Sequence, residues 1–310
     1  MKRKILVAID GSTYSSNSLG YLGLLFGKVE DVCFHLLSIV TCDSLPPGKE
    51  WLDEKELMNM ISSPTRKNLA SAKTYMATAL RKLEQLGISE YRVTTEVRLS
   101  RAGVATDILQ EAKNGLYDAL LIGRRGLSKL EELMIGSVSA SILEKNHEVP
   151  IWVLDGQITS HKFLVPVDGT YHSLMAVDHL AHMIKDNPLA EITLFHSSAM
   201  FSHECVITPS EFYEQWGQEW CEEHLSRPDS LFHAPRQILT ENGFPAEKIF
   251  WLHTFKGFDP SRQIYRQALI DDFGTVVMGR RGDDIDKGIF RGVTDRMVLM
   301  AENVAIWIVG

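Results

Sequence analysis

At 310 residues, 45% hydrophobic and 23% charged, the chain holds enough apolar material for two domains of roughly 150 residues, and it is neither a mini-protein nor a disordered or collagen-like chain. The net charge of -8 argues against a general nucleic-acid binder, and it is unevenly spread: 19 basic and 19 acidic residues through position 160, then 13 basic against 21 acidic. No apolar run reaches the roughly 18 residues of a membrane span, so neither secretion nor membrane insertion is expected, and a cytoplasmic location is.

In chain order, the first half reads as strands near 4–9, 32–40, 92–99, 118–122 and 150–154 with helices between them. Leu19, Leu22 and Phe26 mark one face of the first helix. Leu69, Ala72, Met76, Leu80, Leu83 and Leu86 mark a longer stripe on the second. The whole pattern then returns. Ile5-Leu6-Val7-Ala8-Ile9-Asp10-Gly11-Ser12 recurs as Phe163-Leu164-Val165-Pro166-Val167-Asp168-Gly169-Thr170, and Leu120 to Gly126 recurs as Val276 to Gly282. Ile151-Trp152-Val153-Leu154 recurs as Ile306-Trp307-Ile308-Val309, while Leu174, Val177, Ala181 and Ile184 repeat the first helix face. A period near 157 residues is a duplicated domain, with a boundary in the polar 155–161 stretch: residues 1–157 and 158–310.

Buried strands alternating with helices predict an α/β fold of two tandem doubly wound, Rossmann-like domains, each a five-stranded parallel sheet of order 3-2-1-4-5 flanked by helices. That order sets strands 1 and 4 side by side at the switch point, where a crevice opens at their carboxyl ends. Asp10-Gly11-Ser12 follows strand 1 and Gly123-Arg124-Arg125-Gly126 follows strand 4. Gly136-Ser137-Val138-Ser139 then opens a helix. Exposed amides at a helix start favour an anion, glycine admits a phosphate to the backbone, and the Ser137 and Ser139 hydroxyls add donors. Two readings of these residues stand side by side: a phosphate cradle, or tight turns with an N-cap. The complete constellation favours the cradle.

At these residues the chain resembles the universal stress protein family in its tandem form. The family's nucleotide-binding subgroup carries G-x2-G-x9-G-[ST], matched by Gly123, Gly126, Gly136 and Ser137. The likeness covers residues 3–154 and, less cleanly, the second half. The resemblance implies ATP or another adenine nucleotide, with Mg2+ as an option. Asp10, Gly11 and Ser12 would lie at the nucleoside side and the backbone of Ile39 and Val40 at the adenine edge. Gly123, Arg124, Arg125, Gly126, Gly136, Ser137, Val138 and Ser139 would lie at the phosphates. It also implies a stress-response role, unidentified protein partners and pairing of the fifth strands across the two domains, with homodimerisation left open.

The second half departs from that pattern. Its counterparts are Asp168, Gly169, Thr170, Gly279, Arg280, Gly282, Gly292, Val293 and Thr294. Valine stands at the hydroxyl position, and Asp283, Asp284 and Asp286 bring like charge to the loop. A weaker or altered second site is expected, with Thr294 a partial substitute for the lost hydroxyl and Arg280 a partner for the carboxylates.

No enzyme is indicated: the P-loop, G-x-G-x-x-G, G-x-S-x-G and H-E-x-x-H motifs do not occur, so turnover is expected to be slow ATP hydrolysis at most. Cys33, Cys42, Cys205 and Cys221 show no C-x-x-C spacing and are expected as free thiols. His179 and His182, or His203 with Cys205, do not amount to a metal site. Phe212, Trp216 and Trp220 recur every four residues, which reads as packing or, if exposed, as a partner surface. The alternative to nucleotide binding is a nucleotide-independent scaffold of the same fold, using that acidic, Trp-bearing second domain.

Overall fold

The computed structural model describes residues 2–42, 60–124, 135–145, 148–197, 207–253, 259–280 and 292–310. Its contacts divide the chain into two compact units, Met1–Val149 and Pro150–Gly310.

In the first unit the strands are β1 (Arg3–Ala8), β2 (Val32–Val40), β3 (Val93–Leu99) and β4 (Ala119–Gly123). They run in the order β3-β2-β1-β4, and β1 is parallel to both of its neighbours. Ile5, Leu6 and Val7 of β1 and Ala119, Leu120 and Leu121 of β4 are wholly inaccessible, as strands covered on both faces must be. Helices α1 (Thr13–Phe26), α2 (Ser63–Gln85), α3 (Val104–Asn114) and α4 (Ser137–Lys145) accompany them.

Helix α1 starts where the Ser12 hydroxyl accepts the Ser15 amide, and Leu19, Leu22 and Phe26 are buried along one face. Helix α2 starts at Ser62 in the same way, with Pro64 in its first turn. Its buried stripe is Leu69, Ala72, Met76, Ala79 and Leu83, whereas Leu80 and Leu86 are half-buried. A period of 3.6 carries the stripe through Ala79, and Leu86 lies past the last helical residue, where it packs against Gly23 of α1. The Lys82 ammonium donates to the Ser16 carbonyl at 2.8 Å and to its hydroxyl at 2.5 Å, tying α2 to α1.

The second unit contains β5 (Ile151–Leu154), β6 (Lys162–Pro166), β7 (Glu191–His196), β8 (Ile249–His253), β9 (Thr275–Gly279) and β10 (Ala305–Val309). The order β5-β10-β9-β6-β7-β8 contains the expected 3-2-1-4-5 arrangement of the second repeat, read from β8 to β10 and parallel throughout. Strand β5 adds to β10 antiparallel, with Trp152 opposite Trp307. Helices α5 (Tyr171–Ile184), α6 (Tyr213–Trp216), α7 (Gln218–Leu225), α8 (Ser230–Glu241), α9 (Pro260–Ile270) and α10 (Val293–Met300) complete the unit. Leu174, Val177, Ala181 and Ile184 of α5 are buried, so the repeat of the apolar pattern is a repeat of packing. Among the described residues no helix is long and apolar enough to cross a membrane.

Candidate functional site

At the carboxyl end of β1 the chain must leave the sheet and start α1 within a few residues. The Ile9 amide still donates to Leu37 of β2 at 2.9 Å. Gly11 then turns with φ +79°, a conformation that a side chain resists. The Asp10 carboxylate is held in place by the Ser12 amide at 3.0 Å and the Ser15 hydroxyl at 2.7 Å. This rigid acidic turn sits beside the end of β4, because β1 and β4 are neighbours in register from Ile5 and Ala119 to Val7 and Leu121.

Past β4, the Arg124 carbonyl accepts the Gly136 amide at 2.9 Å, and the Gly136 carbonyl accepts the Ala140 amide at 2.8 Å. These bonds close the loop and place the first turn of α4 beside the end of β4. The Ser139 side chain is buried and donates to the Gly123 carbonyl at 2.7 Å, so its proton is committed within the fold. Ser137 is exposed and remains the side-chain hydroxyl that α4 presents to solvent at its start; Gly136 and Val138 are half-buried. Amides of a first helical turn have no acceptor within the helix, which gives this point its partial positive charge. At the end of β2, Ile39 is half-buried and Val40 buried, in register with Arg98 and Leu99. Arg125, Gly126 and Gly282, together with Asp283, Asp284 and Asp286, lie outside the described residues.

The second unit repeats the scaffold with different chemistry. Asp168 accepts the Thr170 amide at 3.0 Å and its hydroxyl at 2.6 Å, and Gly169 has φ +76°. Thr294 donates to the Gly279 carbonyl at 3.1 Å, which is the work of Ser139 in the first unit, so its proton does not stand in for the hydroxyl lost at Val293. Helix α10 begins at Gly292, whose amide donates to the carboxylate of Asp295 at 3.3 Å. Arg280 faces the same carboxylate at 3.6 Å, and the loop carboxylates expected for it lie outside the described residues. The anion at this helix start is therefore the chain's own side chain.

The universal stress protein family model matches residues 1–154. The universal stress protein YxiE of Bacillus subtilis (strain 168) is 30% identical over 150 residues, which are 46% of this chain and 92% of that protein. The chain belongs to the universal stress protein family. A solved universal stress protein from Archaeoglobus fulgidus DSM 4304 aligns with 99% of this chain and 95% of its own at TM-score 0.64 and 17% identity, so the shared fold runs through both units. A universal stress protein solved in complex with cAMP aligns with 49% of this chain and 94% of its own, at TM-score 0.31 and 17% identity.

Two residues of this universal stress protein escape a reading of motifs. Asp295 is the third residue of α10, and an acidic residue at that place is a capping signal that the comparison of glycines passed over. Tyr75 is far from every motif in sequence, yet its ring lies against Gly11. Its phenol donates to the Ile9 carbonyl at 3.1 Å and meets the Ser38 hydroxyl at 2.5 Å. Burial raises the phenol pKa above its ordinary 10.0, opposed by the Ser38 hydrogen bond and reinforced by the Asp10 charge, so this group is neutral at physiological pH. In the second unit, His179 accepts the Trp152 indole N–H at 3.1 Å. Phe212 is buried while Trp216 and Trp220 are half-buried, on separate short elements divided at Gly217 with φ +80°. Cys33, Cys42 and Cys221 are free thiols; Cys205 and His203 lie outside the described residues.

Proposed function

We propose that this universal stress protein binds ATP or another adenine nucleotide in the first unit, as a cytoplasmic regulator of a stress response with slow turnover at most. The reading is carried by the contrast between the two helix starts. Helix α4 opens on Gly136 and an exposed Ser137, whereas α10 opens on a glycine whose amide already holds Asp295. A phosphate arriving at α4 gains amides, a hydroxyl and the helix dipole. One arriving at α10 must displace or repel a carboxylate that Arg280 also holds.

Asp10 would accept from the nucleoside side, and the backbone at Ile39 and Val40 would meet the base edge. The glycines at 123, 126 and 136 with Ser137 would hold the phosphates, with Arg125 and Mg2+ offsetting their charge, while the Arg124 side chain is buried within the fold. Gly11, Ser12, Val138 and Ser139 shape the same crevice. Each hydrogen bond to a charged phosphate is worth about 1.5–3 kcal/mol, so one hydroxyl alone is worth about tenfold in affinity or more. Weaker binding is proposed for Asp168, Gly169, Thr170, Gly279, Arg280, Gly282, Gly292, Val293 and Thr294. Among the described residues near Asp10 and Ser137 no group is poised to activate water, which fits binding with little hydrolysis.

Calorimetric titration of nucleotide-stripped protein with ATP, with and without Mg2+, tests the assignment. Gly136→Asp is expected to weaken ATP at least tenfold and Gly292→Asp to change it little. The reverse pattern would move the site to the second unit, and no heat from the wild-type chain would sink the nucleotide reading.

A further inference from the structure

The two units solve one hydrogen-bonding problem in different ways, and the difference lies where a nucleoside would sit. In both, the first residue past the central strand donates to its neighbour: Ile9 to Leu37 at 2.9 Å, Val167 to Phe195 at 2.8 Å. The pairings Ala8 with Leu37 and Pro166 with Phe195 therefore make Ser38 and His196 counterparts. The glycines ending α2 and α8, Gly87 at φ +88° and Gly243 at φ +87°, likewise make Tyr75 and Leu231 counterparts. Both helix ends close through the same bond, Ile88 to Leu83 and Phe244 to Leu239.

The carbonyls of Ile9 and Val167 need a donor. In the first unit Tyr75 supplies it across from α2. A phenol has one hydrogen, and Tyr75 gives it to Ile9, so Ser38 is the donor in the 2.5 Å contact between the two hydroxyls. In the second unit the His196 ring meets the Val167 carbonyl directly at 2.8 Å, which puts the proton on Nδ1, and the counterpart of Tyr75 is the aliphatic Leu231. An ideal Cβ at Gly11 would lie 2.5 Å from Tyr75 Cδ1, whereas at Gly169 it would lie 3.0 Å from Ile207 Cδ1 and 3.8 Å from Leu231 Cδ1. Tyrosine with serine in one unit thus answers to leucine with histidine in the other.

We infer that Tyr75 is the wall of the nucleoside end of the first crevice, its ring lying between the Asp10 turn and the end of β2 and selecting a base there. This rests on the nucleotide reading above. Tyr75 touches Gly11 and Ile9 on the Asp10 side, and Ser38 beside Ile39 on the β2 side, so a ligand reaching from Asp10 to Ile39 passes along it. The residue is positioned from two directions: its helix is tied to α1 through Lys82, and Tyr75 packs against the cluster of Val40, Ile61, Leu69, Ala72 and Leu99. Aromatic contact with a base is on the order of tenfold in affinity or more.

The test carries the second unit's solution into the first. The double variant Ser38→His with Tyr75→Leu keeps a donor for Ile9 and removes the ring; Tyr75→Leu and Tyr75→Phe are made alongside it. Each is titrated with ATP and with inorganic tripolyphosphate, which shares the phosphates and lacks the nucleoside, and its melting temperature is recorded. The expected result is an ATP affinity at least tenfold weaker in the double variant and in Tyr75→Leu, a smaller change in Tyr75→Phe, and tripolyphosphate binding unmoved in all. If the double variant does not fold, the same split read in Tyr75→Leu decides. Unchanged ATP affinity in the ring-less variants, or equal losses for both ligands, would overturn the inference. Wild-type protein that takes tripolyphosphate but not ATP would overturn it too, whereas wild type that binds neither would overturn the nucleotide reading itself.

Discussion

Gly11 and Gly169 stand at the same turn with nearly the same φ, +79° and +76°, yet their surroundings differ. At either position a side chain meets backbone strain of about 1–2 kcal/mol. At Gly11 a Cβ also runs into the ring of Tyr75, at 2.5 Å from Cδ1, while at Gly169 the nearest obstacle is the flexible tip of Ile207 at 3.0 Å. Overpacking of the first kind costs about 1–3 kcal/mol more. Gly11→Ala should therefore lower the unfolding free energy more than Gly169→Ala, by about 1–3 kcal/mol in urea unfolding. Equal losses would mean that Tyr75 swings aside freely. Asp10, both glycines and Gly136 were legible as turn and helix-start residues because their chemistry is local. Asp295 and Tyr75 were not singled out: the first looks like any acidic residue until it is seen at a helix start, and the second acts through a helix that the chain brings back from a distance.

At the level of elements, β5 and β10 pair antiparallel with Trp152 directly opposite Trp307. The indoles stack at 3.7 Å with an interplanar angle of 3°, both fully buried, and the edges of Phe163 and His179 close on Trp307 at 5.5 and 5.8 Å. Replacing either tryptophan by alanine should cost about 3–5 kcal/mol, since a buried aromatic leaves a large void. The double variant should cost less than the sum, because the stacking contribution of about 0.5–1.5 kcal/mol is lost only once. Chemical denaturation of the two single variants and the double variant measures this; strict additivity would show that the stack contributes nothing beyond burial. The two strands were legible as strands from their apolar runs, and their pairing was expected from those bare apolar edges and from the resemblance to the family. The face-to-face register of the two indoles was not, because register depends on the partner strand.

Over the whole molecule, ionisation should weaken the first unit in alkali. The Tyr117 phenol is held well above the ordinary tyrosine value by burial, by the Glu111 charge and hydrogen bond, and by Glu96, with Arg98 opposing. Tyr75 is shifted the same way, chiefly by burial. A folded state that keeps the proton gains nothing while the unfolded chain is also protonated, and loses ground once the unfolded phenol ionises. Stability from these groups is thus fully present below about pH 10 and falls as pH rises through the folded values. Melting temperatures recorded between about pH 8 and pH 11 should fall in the wild type and fall less in Tyr117→Phe. Parallel curves would place the alkaline loss elsewhere. Neither phenol announces this in the sequence, since their burial and their carboxylate neighbours come from packing.

What the amino-acid order determined by itself is whatever rests on local periodicity and on repetition. This includes the buried strands, the amphipathic helices, the duplication and the turns bearing Asp10, Gly123 and Gly136. It also includes the parallel order, since short crossovers of fixed hand leave few alternatives. Tertiary structure alone decided which groups are already spent. Ser139 and Thr294 both give their protons to strand carbonyls, Asp295 fills its own helix start, and Tyr75 and His196 cap the same carbonyl in the two units. A hydrogen bond between distant residues depends on how helices and strands dock, and side chains of similar type are set to different tasks by ångström differences in that docking.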